Sequence, residues 1–197
     1  VRGVSVVLGL DPAIGGGNAI IACALTADRL NVLDVQVDYA LGSTEAQFEI
    51  IRQFATTYRP HLLIVEADAQ QLSIGADHRL IEMGHTFGFT IRPHITRGRK
   101  ADPVFGVASM DQAFLRSEIS IPWATHADEV RMAPLVDQLR KWRPDKATRH
   151  VTQDAVMALW FVWRHWEQIR RRHEDNPALP SRPAWAHPDH RLIGAAT

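Results

Sequence analysis

Four apolar residues in a row, Leu62-Leu63-Ile64-Val65, followed by Glu66, constrain this chain more than any other stretch. A strand that faces water on one side alternates apolar and polar residues. One that is apolar on both faces is a central strand covered on both sides. The run therefore predicts a sheet with a layer packed on each face. Its flanks supply helices. Ser43-Thr44-Glu45 reads as a helix start, with Ser43 or Thr44 as N-cap. Phe48, Ile51, Phe54 and Ala55 recur at helical spacing, and Arg59-Pro60 stops the helix near Tyr58. A second helix is expected from Gln70 to Met83, stopped by Gly84, and then a short strand in "FTIRPHI".

Ahead of these lies "VVLGLDPAIGGGNAI", from Val6 to Ile20. Its carboxylate and glycines admit three readings: a phosphate-cradling loop, a hairpin turn, or the first acid of a metal site. A phosphate loop needs a helix after the glycines. The residues that follow, "NAIIACALT", are β-compatible, and "RLNVLDVQVDY" alternates over Val35-Gln36-Val37-Asp38. There is also no Gly-Lys-Ser/Thr and no Gly-x-Gly-x-x-Gly. The stretch reads as an antiparallel meander with turns at the glycines and at Ala27-Asp28. Three strands, helix, strand, helix, strand is an α/β order with an antiparallel start and a parallel continuation.

Further on, a helix is expected from about Val104 to Arg116, then "EISIPW" as a short strand or extended segment. Ala127 to Trp142 reads helical around Pro134, with Val130, Leu135 and Leu139 as its apolar side. "VTQDAVMALWFVWRHWEQIRRR" is the strongest helix in the chain, and its Trp160, Phe161, Trp163 and Trp166 read as core. Residues 1–173 are expected to form one domain and residues 174–197 a proline-rich tail.

The 22 basic and 22 acidic residues balance, so a nucleic-acid surface would have to be a local patch. The single cysteine, Cys23, excludes a disulfide framework and a cysteine zinc site. No apolar run approaches membrane-spanning length, and no secretory leader is evident. The chain opens on Val1, close to a strand, which suggests a domain of a longer protein.

Three acids fall where the surrounding sequence should be buried: Asp11 ends the first strand, Glu66 ends the apolar strand, and Asp154 opens the last helix. Buried carboxylates are usually paired or bound to a metal. If the first and fourth strands are neighbours, Asp11 and Glu66 stand side by side. A divalent cation would turn their repulsion into binding, and Mg²⁺ or Mn²⁺ suits such an oxygen site. Taken singly, Asp154 could be a capping charge and Glu66 ordinary strand-end polarity. Asp68 could share a face with Glu66, and His150 precedes Asp154 by four positions. Both are further candidate ligands, with a surface acid and a surface histidine as the plainer readings. Arg97, Arg99 and Lys100 form one basic patch, and Arg143, Lys146 and Arg149 a second. Either could contact phosphates or be a solvated loop. No Gly-x-Ser-x-Gly occurs, and Cys23 lies mid-strand with nothing to activate it.

"LGLDPA" followed by glycines, "LLIVEAD" and "TQDAVMALW" resemble, in order and spacing, the nuclease domain of the large terminase subunit of tailed bacteriophages. That domain belongs to the ribonuclease H-like superfamily, alongside Holliday-junction resolvases and retroviral integrases. The resemblance spans about Val4 to Arg172. It implies an α/β fold: a ribonuclease H-like mixed five-stranded sheet, its first three strands antiparallel, flanked by helices. It implies that Asp11, Glu66 and Asp154 are catalytic and hold two divalent metal ions, Mg²⁺ or Mn²⁺. Lys100 matches a lysine frequent in this family. Gln153 departs from the pattern, because many relatives carry a first Asp there; either one metal site is weakened, or Asp154, Asp68 or His150 compensates.

The implied activity is metal-assisted hydrolysis of DNA phosphodiesters with little sequence specificity, cutting concatemeric phage DNA during packaging. The implied partners are double-stranded DNA and, in the full protein, an N-terminal ATPase domain, the small terminase subunit and the portal, in the host cell cytoplasm. No Walker A motif occurs here, so this chain is not expected to hydrolyse ATP. Two rivals share the fold: a Holliday-junction-type resolvase and a non-catalytic scaffold module of a packaging motor. A sugar kinase-like ATPase would need a second glycine motif that is not found.

Overall fold

The structure, a computed structural model, describes residues 4–12, 18–38, 44–67, 77–96, 102, 106–143 and 153–175. The chain begins with the expected meander: β1 (Ser5–Asp11), β2 (Asn18–Leu25) and β3 (Leu30–Asp38). β1 and β2 pair antiparallel from Ser5 with Leu25 to Asp11 with Ala19. β2 and β3 pair antiparallel, with a register irregularity at Ala22 and Cys23. The β2–β3 turn closes where Thr26 N–H donates to the Arg29 carbonyl at 2.8 Å. The glycines 15–17 lie outside the described residues.

Helix α1 (Thr44–Tyr58) buries Phe48, Ile51, Phe54 and Ala55, the residues whose spacing marked its inner face. It ends as expected before Arg59-Pro60. Proline disfavours αR geometry in the residue before it, and Arg59 adopts φ +46°. β4 (Leu62–Glu66) is buried along its whole length and lies between β1 and β5 (Thr90–His94), parallel to both. The central-strand expectation is met.

Between these strands lies α2 (His78–Phe87), capped by Asp77 and terminated by Gly88 at φ +77°. The expected stop at Gly84 is corrected. The helix runs through Gly84, where a β-carbon would stand 2.8 Å from the Phe89 carbonyl oxygen. That glycine serves close packing, and the left-handed turn falls one helical turn later. The expected start, residues 70–76, lies outside the described residues.

The second half adds a 3-10 turn (Val107–Ser109), α3 (Met110–Leu115), β6 (Ile119–Ser120), α4 (His126–Lys141) and α5 (Asp154–Asp175). β6 pairs parallel with β3 and makes the sheet six-stranded, in the order β5-β4-β1-β2-β3-β6, rather than five-stranded. Two residues are too short to carry a periodicity, which is why the sequence left this strand open. α4 also corrects an expectation. Met132, Leu135 and Gln138 form its buried face, whereas Val130 is exposed. Val130 precedes Met132 by two positions, about 200° around the helix axis.

Alternate residues of the central strands feed two cores. Leu8, Leu10, Leu63 and Val65 join α1 and α2 on one face. Val7, Leu62 and Ile64 join α3, α4 and α5 on the other. Trp160, Phe161, Trp163 and Trp166 are buried there as expected. Burying a side chain such as Phe161 contributes about 1.5–3 kcal/mol. Among the described residues no helix is long and apolar enough to cross a membrane.

Candidate active site

Side chains alternate faces along a strand, so the core memberships fix where the acids point. In β1, Val7 and Gly9 face α5, and so does Asp11. In β4, Leu62 and Ile64 face α5, and so does Glu66. Parallel register places Leu10 beside Val65. Asp11 and Glu66 are the next residues of strands that lie about 4.8 Å apart. Both are enclosed, 5% and 2% exposed. Two neighbouring carboxylates in so dry a place are costly without a compensating cation or donors.

The segment of β5 and the residues just past it hold the end of β4 and supply a donor to Glu66. His94 pairs with Glu66 in register, and Ala67 N–H donates to the His94 carbonyl at 2.8 Å, extending the ladder one step past the acid. The buried Thr96 hydroxyl donates to Glu66 Oε1 at 2.7 Å. The His94 imidazole packs on α5, its centroid 5.0 Å from the Trp160 ring and 4.7 Å from that of Phe161.

Helix α5 brings the third acid to the same end of the sheet. A β-carbon on Gly9 would meet the Ala158 carbonyl oxygen at 2.3 Å, so the helix lies directly on β1 at that point. Trp166 Nε1 donates to the Thr26 carbonyl at 2.8 Å, and Thr26 follows Leu25, the partner of Ser5. The later turns of α5 therefore lie over the start of β1, and its N-terminus over the end that carries Asp11. From Ala158 back to Asp154 is about 6 Å along a helix. From Gly9 to Asp11 is about 6.6 Å along a strand. Asp154 thus heads the helix at the level of the strand-end acids, with Oδ2 sealed from solvent.

Gln138 of α4 holds this helix start. Its Oε1 accepts from Ala155 N–H at 2.9 Å and from Val156 N–H at 3.4 Å. Met157 N–H donates to the Gln153 carbonyl at 2.9 Å, so Gln153 begins the helical ladder.

Asp11, Glu66 and Asp154 are oxygen donors, the set that hard divalent cations choose. Among the described residues, no three Asp, Glu, His or Cys side chains gather closely enough to enclose an ion. Asp11 and Glu66 are neighbours, and Asp154 shares their end of the sheet without closing a three-ligand cage. That arrangement fits an Mg²⁺-like ion, which keeps several waters and is held by one or two carboxylates together with substrate phosphates.

Asp68, His150, Arg97, Arg99, Lys100, Lys146 and Arg149 lie outside the described residues. Arg143 is exposed just beyond α4, and its Nη1 donates to the carbonyls of Arg140 and Trp142 at 3.1 and 2.7 Å. Cys23 is buried, and burial pushes its thiol well above the ordinary range, as expected of an inert core cysteine. Sequence reasoning missed Thr96 and Gln138. The only trace of Gln138 was a polar residue on the apolar stripe of α4, beside Leu135 and Leu139.

No protein-family model and no curated protein sequence matches this chain. Known structures do. A human cytomegalovirus terminase nuclease domain, soaked with manganese, superposes with a TM-score of 0.57 at 16% identity, over 86% of this chain and 85% of that one. The large terminase nuclease domain of bacteriophage SPP1, with bound manganese, gives 0.46 at 14% identity, over 82% and 86%. Thermus thermophilus RuvC gives 0.46 at 15% identity, over 84% and 96%. The meander, the parallel β4 and β5 beside it and the long helix α5 across β1 therefore form a ribonuclease H-like fold, the fold of the terminase nuclease domain that the sequence motifs resemble.

Proposed function

We propose that this chain is the metal-dependent DNA endonuclease domain of a viral DNA-packaging terminase. The observation that carries the reading is the pair of buried carboxylates, Asp11 and Glu66, at adjacent ends of parallel strands, facing the helix that Asp154 heads. Asp11, Glu66 and Asp154 act as ligands, with Asp68 and His150 as further candidates. Two divalent ions, when bound, supply Lewis-acid stabilisation of the phosphate charge and acidify a water. The carboxylates orient and neutralise; none of them is the nucleophile. Arg97, Arg99, Lys100, Arg143, Lys146 and Arg149 contact the DNA backbone, which gives affinity without sequence readout. In this reading the domain follows an ATPase domain, works with a small subunit and a portal in the host cytoplasm, and cuts concatemeric DNA.

A non-catalytic scaffold of the same fold is the second reading. It is favoured by Gln153 and by the open ligand set among the described residues. Plasmid nicking and linearisation with Mn²⁺, Mg²⁺ or EDTA separates the two. Wild type is expected to cut only with metal, and Asp11→Ala and Glu66→Ala to lose cutting while still binding DNA. A folded wild type that binds DNA and cuts with neither metal supports the scaffold.

A further inference from the structure

Thr96 lies two residues past the end of β5, where a side chain could have turned to solvent. It is instead 1% exposed, and its hydroxyl donates to Glu66 Oε1 at 2.7 Å. The backbone beneath it is fixed, because Ala67 N–H bonds the His94 carbonyl and keeps this segment against the end of β4. A threonine hydroxyl has one proton to give, and its β-branched side chain is stiff at χ1. Glutamate, by contrast, has three rotatable side-chain bonds. A buried hydroxyl needs a partner, but a backbone carbonyl would have served as well as a carboxylate.

We propose that Thr96 is a positioning residue, whose hydroxyl holds the Glu66 carboxylate in the orientation in which it ligates a divalent ion. This rests on the reading of Glu66 as a metal ligand. A ligating carboxylate that is itself hydrogen-bonded is preorganised, and loss of such an outer partner lowers metal affinity or activity about 10–100-fold.

The test is Mn²⁺ binding to the folded protein without DNA, by calorimetry or by electron paramagnetic resonance, for wild type, Thr96→Val and Thr96→Ser. Valine keeps the shape and removes the donor; serine keeps the donor. The expected result is Mn²⁺ affinity lowered about 10–100-fold in Thr96→Val and restored in Thr96→Ser. DNA cleavage by Thr96→Val should then need correspondingly more metal and recover at saturation, which a purely structural role would not produce. Affinity unchanged in folded Thr96→Val overturns the proposal while leaving the nuclease reading intact. A wild type that neither binds Mn²⁺ nor cuts overturns both. Should Thr96→Val not fold, Thr96→Cys, a weak donor close in size to serine, takes its place. Weaker binding than Thr96→Ser supports the proposal and equal binding overturns it.

Discussion

Ala158 lies so close over Gly9 that a β-carbon on the glycine would stand 2.3 Å from the Ala158 carbonyl oxygen and 2.8 Å from Val162 Cγ2. Neither contact is relieved by a rotamer change, since one is backbone and the other a stiff β-branched side chain. Gly9→Ala must therefore lift α5 from the sheet. Overpacking of this kind costs about 1–3 kcal/mol, to be read from urea unfolding. Asp154 precedes Ala158 by one turn, so the shift also moves that carboxylate away from Asp11. DNA cleavage should fall even at a temperature where the variant is fully folded. Unfolding within about 0.5 kcal/mol of wild type, the range of a neutral surface change, would show that the helix has room to spare.

Much of this arrangement was legible in the sequence because it rests on strand order and alternation. The uninterrupted Leu62–Val65 run made β4 central, and once β4 lay beside β1 the acids Asp11 and Glu66 were neighbours. Other features depend on which surfaces approach each other. Gly84 looks like a helix stop until Phe89 is seen packed against it. β6 exists because Leu30 and Ile119 meet across a long separation. Thr96 and Gln138 are single polar residues with ordinary neighbours in the chain. Only the tertiary contact reveals that one holds Glu66 and the other caps the helix of Asp154.

Gln138 offers a test of that cap. Its oxygen serves the first free N–H groups of α5, at Ala155 and Val156, in a region closed to water. Gln138→Leu fills the space and leaves those donors buried without an acceptor, a loss of about 1–3 kcal/mol. The expected outcome is a lower urea midpoint together with faster hydrogen exchange at the Ala155 and Val156 amides. Amides outside the first turn should follow only the global change. Uniform acceleration across α5 would mean that Gln138 contributes general packing and no specific cap.

Asp77 makes acid sensitivity predictable at the start of α2. Its carboxylate accepts from Arg79 Nη2 at 2.8 Å, from Arg79 Nε at 3.1 Å and from Arg79 N–H at 2.9 Å as the helix N-cap. The Arg79 side chain, helped by that backbone donor, lowers its pKa from 3.8 to about 2. A carboxylate depressed on folding stabilises the native state above its unfolded pKa. That contribution disappears as pH falls from about 4 toward 2. Asp77→Ala removes the cap and should cost about 1 kcal/mol at neutral pH, a difference from wild type that narrows across this acid window. Asp77→Asn separates charge from cap: asparagine caps nearly as well but does not titrate. Its stability should therefore lack the part of the acid dependence that Asp77 supplies. Circular dichroism unfolding curves from neutral pH down to about pH 2 read all three. An Asp77→Ala deficit unchanged through pH 2 would place the stabilisation in shape and solvation, not in the Asp77 charge.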